Sequence, residues 1–526
     1  MAKKKISIKL FSIMLALLMV IMTGCINTKY PRYDKAAQLK EPYYGSLENG
    51  DTYYTPASKS CVADKDRTVL YYNELVLVFT KTDLSDDDIN DIAKKAGGEA
   101  VGIVSGAIHS IQIKIPAATL GEIEALANEL CEDENVMYAC PEYPLQIMNT
   151  DEPWGEEEEN IIGNEAEPGG SDWWAEAIGA YTAWEYSELC GKINVGIVDN
   201  SFSIGHSELK GQITMINDNT VDTEMDHGTH VTGIMAAHAN GDGIRGIAST
   251  AHYYCADMWP SVGDTSFHTI GELLAIYNYM AELDVKVINN SWGCVAYTET
   301  AYKRLSVGNE LPYSQWMDMR KDKDIVPTAE AMIVMISQLI MSGIENIIFV
   351  QAAGNGLDDN VATENTDAVY NGFFSTITEE IFDSMDEDFI NTVKEKGIDY
   401  KTIDDRIFVV GSVDCVVDGN GNYFMSDFSN YGETVDICAP GGGVYSTVGV
   451  MGGGYEFFSG TSMASPMVTA SIAFVWSIDP TLSVCEVRDI ILNSAQVKAL
   501  GVENGSDYSY PMLNVGAAVE RVVQIQ

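Results

Sequence analysis

The chain has 526 residues, 46% of them hydrophobic, so it is long enough for more than one domain and can bury a sizeable core. Acidic side chains outnumber basic ones by 77 to 31, which gives a net charge of −46. This charge excludes nucleic acid as a partner, because phosphate backbones attract basic proteins, and it predicts a soluble surface.

Residues 1–24 have the pattern of a secretory signal peptide, in which lysines precede an apolar run at 10–22 that is short for a membrane span. The run leads into Thr23-Gly24-Cys25, which resembles a bacterial lipoprotein processing site, although Met22 stands where leucine is usual. We expect a lipid on Cys25 that anchors the protein to the cell membrane outside the cytoplasm, with plain secretion or an uncleaved anchor as alternatives. Residues 25–67 are interpreted as a tether.

The other nine cysteines form no C-x-x-C pair, and the Cys and His spacings fit no zinc site. We therefore predict no metal site from them. Disulfides are compatible with a location outside the cytoplasm, but their pairing cannot be read from the sequence.

Residues 68–146 are predicted to form a compact unit. Strands are expected at 74–80, 100–104, 110–115 and 136–139, and helices at 85–96 and 119–130. Ser85 is the expected N-cap of the first helix, because acidic residues that favour a helix N-terminus follow it. The order βαββαβ favours a small α+β ferredoxin-like domain.

An acidic stretch, 147–172, is interpreted as a linker. Nine acidic residues and no basic one lie between Asn149 and Asp172, together with prolines and glycines. Such a segment has little to bury, so it is the expected domain boundary and the expected place for a processing cut.

In residues 173–526 short apolar strands alternate with helices. Strands are predicted at 193–198, 252–256, 285–289, 347–351 and 407–410, and helices at 228–237, 269–283, 328–341 and 462–476. This alternation indicates an α/β, doubly wound, mostly parallel sheet, whose active site lies beyond the carboxyl ends of its strands. Asp199, Asn290, Ser291 and Asn355 follow such ends, and an acidic insertion occupies 356–405.

Ser462 follows a glycine-rich segment that ends in Gly460-Thr461. A buried helix is predicted to begin here, with Pro466 in its first turn. By itself such a serine is more often an N-cap than a nucleophile. Asp199 ends a strand and His227 begins a helix, however, and these supply what an attacking hydroxyl needs: a base, and a carboxylate that orients the base.

These residues, in this order and in these contexts, resemble the subtilisin-like serine proteases (subtilases). The resemblance covers 173 to about 495. It rests on the blocks around His227 and Ser462 and on further matches at Ser291-Trp292-Gly293 and Ala352-Ala353-Gly354-Asn355. The chain departs from the family after the aspartate, where Asn200 and Ser201 replace the usual Ser or Thr and then Gly.

The resemblance implies a serine endopeptidase in which Ser462 attacks, His227 transfers the proton, Asp199 orients His227 and Asn355 stabilises the oxyanion. It implies a substrate-binding cleft for proteins or peptides lined by Ser291, Trp292, Gly293, Ala353 and Gly354. No cofactor is implied for the chemistry. Family members often bind calcium near the region of His238–Ile244, but no carboxylate constellation is readable there, so calcium stays open.

The resemblance also implies that 68–146 is an inhibitory propeptide whose C-terminal tail, near 143–149, blocks the cleft until the precursor processes itself. An unrelated accessory module is the alternative for this unit. For the whole chain the alternative is a catalytically silent surface binding protein that kept the fold. A sedolisin-like acid peptidase is excluded, because that class has a glutamate where this chain has His227.

Overall fold

A computed structural model describes residues 42–64, 69–146, 173–217, 227–241, 243–258, 268–294, 326–356, 367–449, 454–503 and 506–525. The predicted signal peptide, Cys25 and the predicted linker 147–172 lie outside the described residues. Eight of the cysteines that the structure describes are not joined in disulfides.

The N-terminal unit is built on a six-stranded sheet in the order β1-β2-β6-β7-β5-β8. The predicted βαββαβ order is confirmed, because the strands β6-β7-β5-β8 are antiparallel neighbours and two helices connect them. In chain order the elements are β1 (Tyr43–Ser46), β2 (Thr52–Thr55), β3 (Cys61–Asp64), β4 (Val69–Tyr72), β5 (Leu75–Thr80), α1 (Asp86–Lys95), β6 (Glu99–Val104), β7 (Ser110–Lys114), α2 (Leu120–Cys131), β8 (Val136–Pro141) and β9 (Leu145–Gln146).

The interpretation of 25–67 as a tether is wrong for the part from Tyr43 to Asp64. Strands β1 and β2 form a hairpin that extends the sheet beside β6, and β3 pairs with β4. The reason is the burial of Tyr53 and Tyr54, whose rings supply a large apolar area.

The C-terminal unit contains a ten-stranded sheet in the order β11-β12-β10-β13-β15-β16-β17-β21-β22, with β18 also paired to β16. Its elements are α3 (Trp173–Ala177), α4 (Ala180–Trp184), β10 (Asn194–Asp199), β11 (Ile213–Met215), α5 (His227–Ala236), β12 (His252–Asp257), α6 (Ile270–Glu282), β13 (Val285–Asn290), β14 (Gly293–Cys294), α7 (Val326–Met341), β15 (Ile348–Ala352), α8 (Glu379–Ser384), α9 (Glu387–Glu395), α10 (Tyr400–Asp404), β16 (Ile407–Val417), β17 (Tyr423–Met425), β18 (Ile437–Pro440), β19 (Val444–Val448), β20 (Gly454–Phe458), α11 (Thr461–Ile478), α12 (Val484–Asn493), β21 (Lys498–Glu503), β22 (Ser506–Pro511) and α13 (Val515–Ile525).

Strands β11, β12, β10, β13, β15 and β16 run parallel, as the sequence predicts. Their registers place Asp199 beside Asp257 and Asn290 beside Gln351, so the polar strand ends share one edge of the sheet. Helix α11 packs on this sheet and is entirely buried. Among the described residues it alone is long and apolar enough to cross a membrane, and its burial identifies it as a core helix.

The small sheet docks on helices α6 and α7 of the large unit through two buried amide side chains. Asn278 of α6 accepts hydrogen bonds from the N–H groups of Ala107 and Ile108, at 3.0 and 2.9 Å. Gln338 of α7 accepts from the His109 N–H at 3.1 Å and donates to the Thr80 carbonyl at 2.8 Å. The loop before β7 is thus held by side chains that satisfy its backbone groups.

A third contact places the carboxylate of Glu142 at the N-terminus of α6. It accepts from the N–H groups of Ile270 and Gly271, at 2.9 and 3.0 Å, and from Gln112 Nε2 at 2.8 Å. Free N–H groups at a helix start favour an anion. Burial nevertheless dominates and raises the pKa of Glu142 to about 7.

We predict that Glu142 makes the full-length chain less stable as the pH rises. Its folded-state pKa of about 7 lies above the ordinary value of 4.5, so the stabilisation present below pH 4.5 is lost as the pH rises through 7. The loss is at most about 1.4 kcal/mol per pH unit. Urea unfolding of the full-length Ser462→Ala variant between pH 4.5 and 8 measures this loss.

In the same background Glu142→Gln should give a flatter pH dependence over that window. The neighbouring buried pair His268 and Glu272, 2.9 Å apart, is present in both proteins. Parallel pH curves for the two proteins would show that Glu142 does not titrate in this range.

Candidate active site

Asp199 and His227 meet at the carboxyl edge of the sheet. Asp199 ends β10 and His227 is the first residue of α5, and their side chains are 0% and 3% exposed. His227 Nδ1 lies 2.7 Å from Asp199 Oδ1, which also accepts the Asn200 N–H at 2.7 Å. A carboxylate that accepts from Nδ1–H holds the imidazole in the tautomer whose Nε2 can accept a proton.

The loop after Asp199 is bound to the start of α5. The N–H groups of Gly228 and Thr229 donate to the carbonyls of Asn200 and Ser201, at 2.8 and 3.1 Å. Ser201 adopts a left-handed conformation with φ of 59°, so this turn forms even though a serine stands where the family usually has glycine. A Cβ on Gly228 would lie 2.3 Å from the Asn200 carbonyl oxygen, so only glycine fits there.

Ser462 is the second residue of α11, which packs against α5, and its side chain is buried. Its hydroxyl donates to the Ser291 carbonyl at 3.4 Å. The helix begins at Thr461, so Pro466 is its sixth residue and lies beyond the first turn, contrary to the prediction. The Ser462 carbonyl therefore has no helical N–H at Pro466, and it accepts the Ser291 hydroxyl at 2.9 Å instead.

Asn355 follows β15 and turns its amide oxygen toward the start of α11. The N–H and the hydroxyl of Thr461 both donate to Asn355 Oδ1, each at 2.8 Å. The Thr461 hydroxyl also accepts the N–H of Gly354, which has a φ of 98°. These bonds assign the orientation of the amide, because only Oδ1 can accept them, and Nδ2 is therefore the donor atom on the other side of the amide.

The segment Ser291-Trp292-Gly293 leads into β14, which pairs antiparallel with β9 at the end of the small domain. The side chains of Ser291 and Trp292 are buried, and the Trp292 ring packs edge-on against Phe373 of the insertion, with 5.1 Å between centroids. Ala353 is also buried, and its carbonyl accepts from Asn430 Nδ2 at 2.9 Å. Contact with a peptide strand would therefore come from the backbone of these segments.

His230, one helical turn after His227, has a structural environment. Its Nε2 lies 3.0 and 3.1 Å from the carbonyl oxygens of Val444 and Glu456, and its ring stacks on Phe458. Burial lowers its pKa to about 3, so the ring stays neutral and donates to these carbonyls. Within the described ranges no group of three His, Cys, Asp or Glu side chains could hold a metal ion.

Residues 191–512 match the profile of the Subtilase family. The chain belongs to the subtilase family. It is 26% identical over 331 residues to Subtilisin DY of Bacillus licheniformis, covering 62% of this chain and 91% of that protein. It is 23% identical over 446 residues to a thermophilic serine proteinase of Bacillus sp. (strain AK1), covering 83% and 86%. Because these relatives are a subtilisin and a serine proteinase, we identify this subtilase as a serine endopeptidase.

The fold of this subtilase is similar to that of fervidolysin from Fervidobacterium pennivorans, a keratinolytic enzyme related to subtilisin, with a TM-score of 0.59 and 20% identity. The match covers 91% of this chain, which spans 63% of the length of the fervidolysin chain. The similarity extends over both units and supports the α/β, mostly parallel sheet with a preceding small domain.

Two buried polar residues of the site were not among the predicted site residues. Thr461 orients Asn355, and Asn289 of β13 bonds to Ser291 and to α11. A sequence signal existed for Asn289, because it stands beside Asn290 at the polar end of β13. Its partner could not be read from that signal.

We predict that Gly228→Ala separates α5 from the loop after Asp199. The new Cβ would press on the Asn200 carbonyl, which is backbone and cannot move aside, at a cost of about 1–3 kcal/mol. Thermal unfolding should show the loss, and peptidase activity should fall with it because His227 moves away from Asp199.

Gly419→Ala is the matched control, since this glycine of the C-terminal unit has nothing within 4 Å of a new Cβ and no positive φ. It should leave activity unchanged and stability equal or higher. A Gly228→Ala protein that is as stable and active as the control would contradict the close approach.

Proposed function

We propose that this subtilase is an extracytoplasmic endopeptidase that cleaves peptide bonds through Asp199, His227 and Ser462 and processes its own precursor. The observation that carries the proposal is the 2.7 Å bond between His227 and Asp199 at the sheet edge where α11 presents Ser462. A buried carboxylate, an oriented imidazole and a hydroxyl at a helix N-terminus are together suited to acyl transfer.

In this mechanism Ser462 Oγ attacks the scissile carbonyl while His227 Nε2 takes its proton. Asp199 stabilises the imidazolium that forms. The negative charge on the carbonyl oxygen is stabilised by Asn355 Nδ2 and by the Ser462 N–H at the positive end of α11. His227 then protonates the leaving amine, and water, activated by the same imidazole, hydrolyses the acyl-enzyme.

Self-processing is supported by the position of the small domain's tail. Gln146 lies opposite Gly293 as an added strand on β14, which is how a peptide substrate would bind. Ser291, whose carbonyl accepts the Ser462 hydroxyl, lies two residues before Gly293, so we expect the cut within a few residues after Gln146. The small domain, which here includes 43–64, would thus act as an intramolecular inhibitor.

Ser462→Ala should therefore accumulate as an intact precursor in a purified, protease-free preparation. Wild-type protein should yield a new N-terminus within a few residues after Gln146, read by N-terminal sequencing. Trimming of the Ser462→Ala protein would refute self-processing, and a cut far along 147–172 would refute only the expected position of the cut.

Asn355→Ala should stay folded and lower kcat by about 10²–10³-fold with KM nearly unchanged, which is the range known for losing one oxyanion donor in a subtilisin. The reason is that the negative charge develops mainly in the transition state. Asn355→Asp should be no better, since a carboxylate repels the oxyanion.

Asn194→Ala is a suitable control, because its amide donates to the Leu283 carbonyl at 2.7 Å at the far end of β10. It should cost stability but leave kcat unchanged. Full kcat in Asn355→Ala on a peptide substrate would remove the oxyanion role even if the triad stands.

A location outside the cytoplasm is supported by the N-terminal pattern and by similarity to an extracellular serine protease of Serratia marcescens, 25% identical over 387 residues. A lipid on Cys25 would precede the cut, so processing would leave the lipid on the small domain and retain the protease at the membrane only while docked.

Cys25→Ala should abolish acyl labelling and move the protein from the membrane fraction to the medium. In the Ser462→Ala background, where no cut occurs, the catalytic unit should stay at the membrane even after a wash that dissociates the docked domains. Membrane retention of Cys25→Ala without label would support an uncleaved anchor.

A further inference from the structure

A single buried amide connects strand β13 to the helix that carries Ser462. Asn289 Oδ1 accepts the hydroxyl of Ser465 at 2.9 Å and lies 3.1 Å from the hydroxyl of Thr469, which is shared with the Ser465 carbonyl at 3.1 Å. These hydroxyls are one turn apart on α11, so they lie on the same face of the helix. Asn289 Nδ2 donates to Ser291 Oγ at 2.9 Å, and the whole set is buried.

The connection continues from Ser291 to Ser462. Pro466 has no N–H for the Ser462 carbonyl, which instead accepts the Ser291 hydroxyl at 2.9 Å. Because Asn289 donates to Ser291 Oγ, the Ser291 hydrogen is directed away from the amide and toward that carbonyl. The strand therefore contacts Ser462 in the first turn of α11, and Ser465 and Thr469 in the next two turns, through hydroxyl groups that bond to the Asn289 amide.

We propose that Asn289 is a positioning residue. Through Ser291 it fixes the Ser462 backbone, so that the Ser462 hydroxyl is held in position next to His227. This inference rests on the proposed function and deepens it. Strand β13 determines the axial position and the rotation of α11. It lies next to β10, the strand that ends in Asp199. A displacement of about 1 Å can cost about 10²-fold in rate without weakening substrate binding.

The proposal can be tested with a pair of substitutions in which the second suppresses the effect of the first on kcat. Ser291→Ala removes the donor to the Ser462 carbonyl, so kcat per active site should fall about 10- to 100-fold with KM unchanged. Pro466→Ala restores an N–H that can donate to the same carbonyl within the helix. In the Pro466→Ala background, Ser291→Ala should therefore cost less than about threefold, which is a strong coupling between the two sites.

Active sites are counted by titration with a serine-directed covalent probe, so that unfolded protein does not enter kcat. Ser471→Ala is the control, because its buried hydroxyl donates to the Met467 carbonyl at 2.7 Å on the same helix without reaching β13. It should leave kcat unchanged. Asn289→Ala should lower kcat at least as much as Ser291→Ala.

If Asn289→Ala or Ser291→Ala does not fold, Thr469→Val carries the test, since it removes one donor to Asn289 at nearly constant volume. Its kcat should fall about threefold to tenfold with KM unchanged. Unchanged kcat in Thr469→Val, or equal effects of Ser291→Ala in both backgrounds, would overturn the inference. A wild-type protein that neither cleaves peptides nor reacts with the probe would instead refute the proposed function.

Discussion

The arrangement of the site depends on the burial of α11 against the parallel sheet. The helix is buried along its whole length, from Thr461 to Ile478. Its N-terminus reaches the sheet edge where β10 ends in Asp199. Burial fixes the axis of the helix. Hydrogen bonds from hydroxyl groups then fix the position of its first turn along that axis. Ser462, the proposed nucleophile, is thus held by a packed core, which makes its position insensitive to the surface loops.

Polar contacts of the same kind dock the small domain. Side-chain amides and a carboxylate bind backbone groups across the boundary, and the tail adds a strand to β14. Such contacts are specific in geometry, but each gains only about 0.5–1.5 kcal/mol net, because both sides can be solvated when separated. A docked domain held in this way can fit the cleft closely and still be released after its covalent link is cut.

Much of the architecture could be predicted from the sequence because its signals are local. Alternating strands and helices predicted the parallel sheet, and caps such as Ser85, which accepts the Asp88 N–H, marked helix starts. Asp199, His227 and Asn355 were found because polar side chains stand where strands end or helices begin. Family motifs then supplied roles that position alone could not.

Other features depend on contacts distant in sequence, which no local pattern reveals. The strands at 43–64 form because Tyr54 is buried and hydrogen-bonded to Gln112, 58 residues away. Ser291 was expected to line the cleft, but its hydroxyl turns inward because the Ser462 carbonyl, 171 residues away, lacks a partner at Pro466. Glu142 reaches a helix start 128 residues away. The sequence shows that these groups are polar, but only the fold shows which hydrogen-bonding partners they have.

The most direct test of the account maps the residue that a serine-directed phosphonate modifies in the processed protein. Intact-mass and peptide mass spectrometry should find one adduct per chain, on Ser462, formed at a rate that drops by orders of magnitude in His227→Ala. Modification of a different residue, or equal labelling of wild type and His227→Ala, would contradict the assignment of Ser462 as a nucleophile activated by the imidazole beside Asp199.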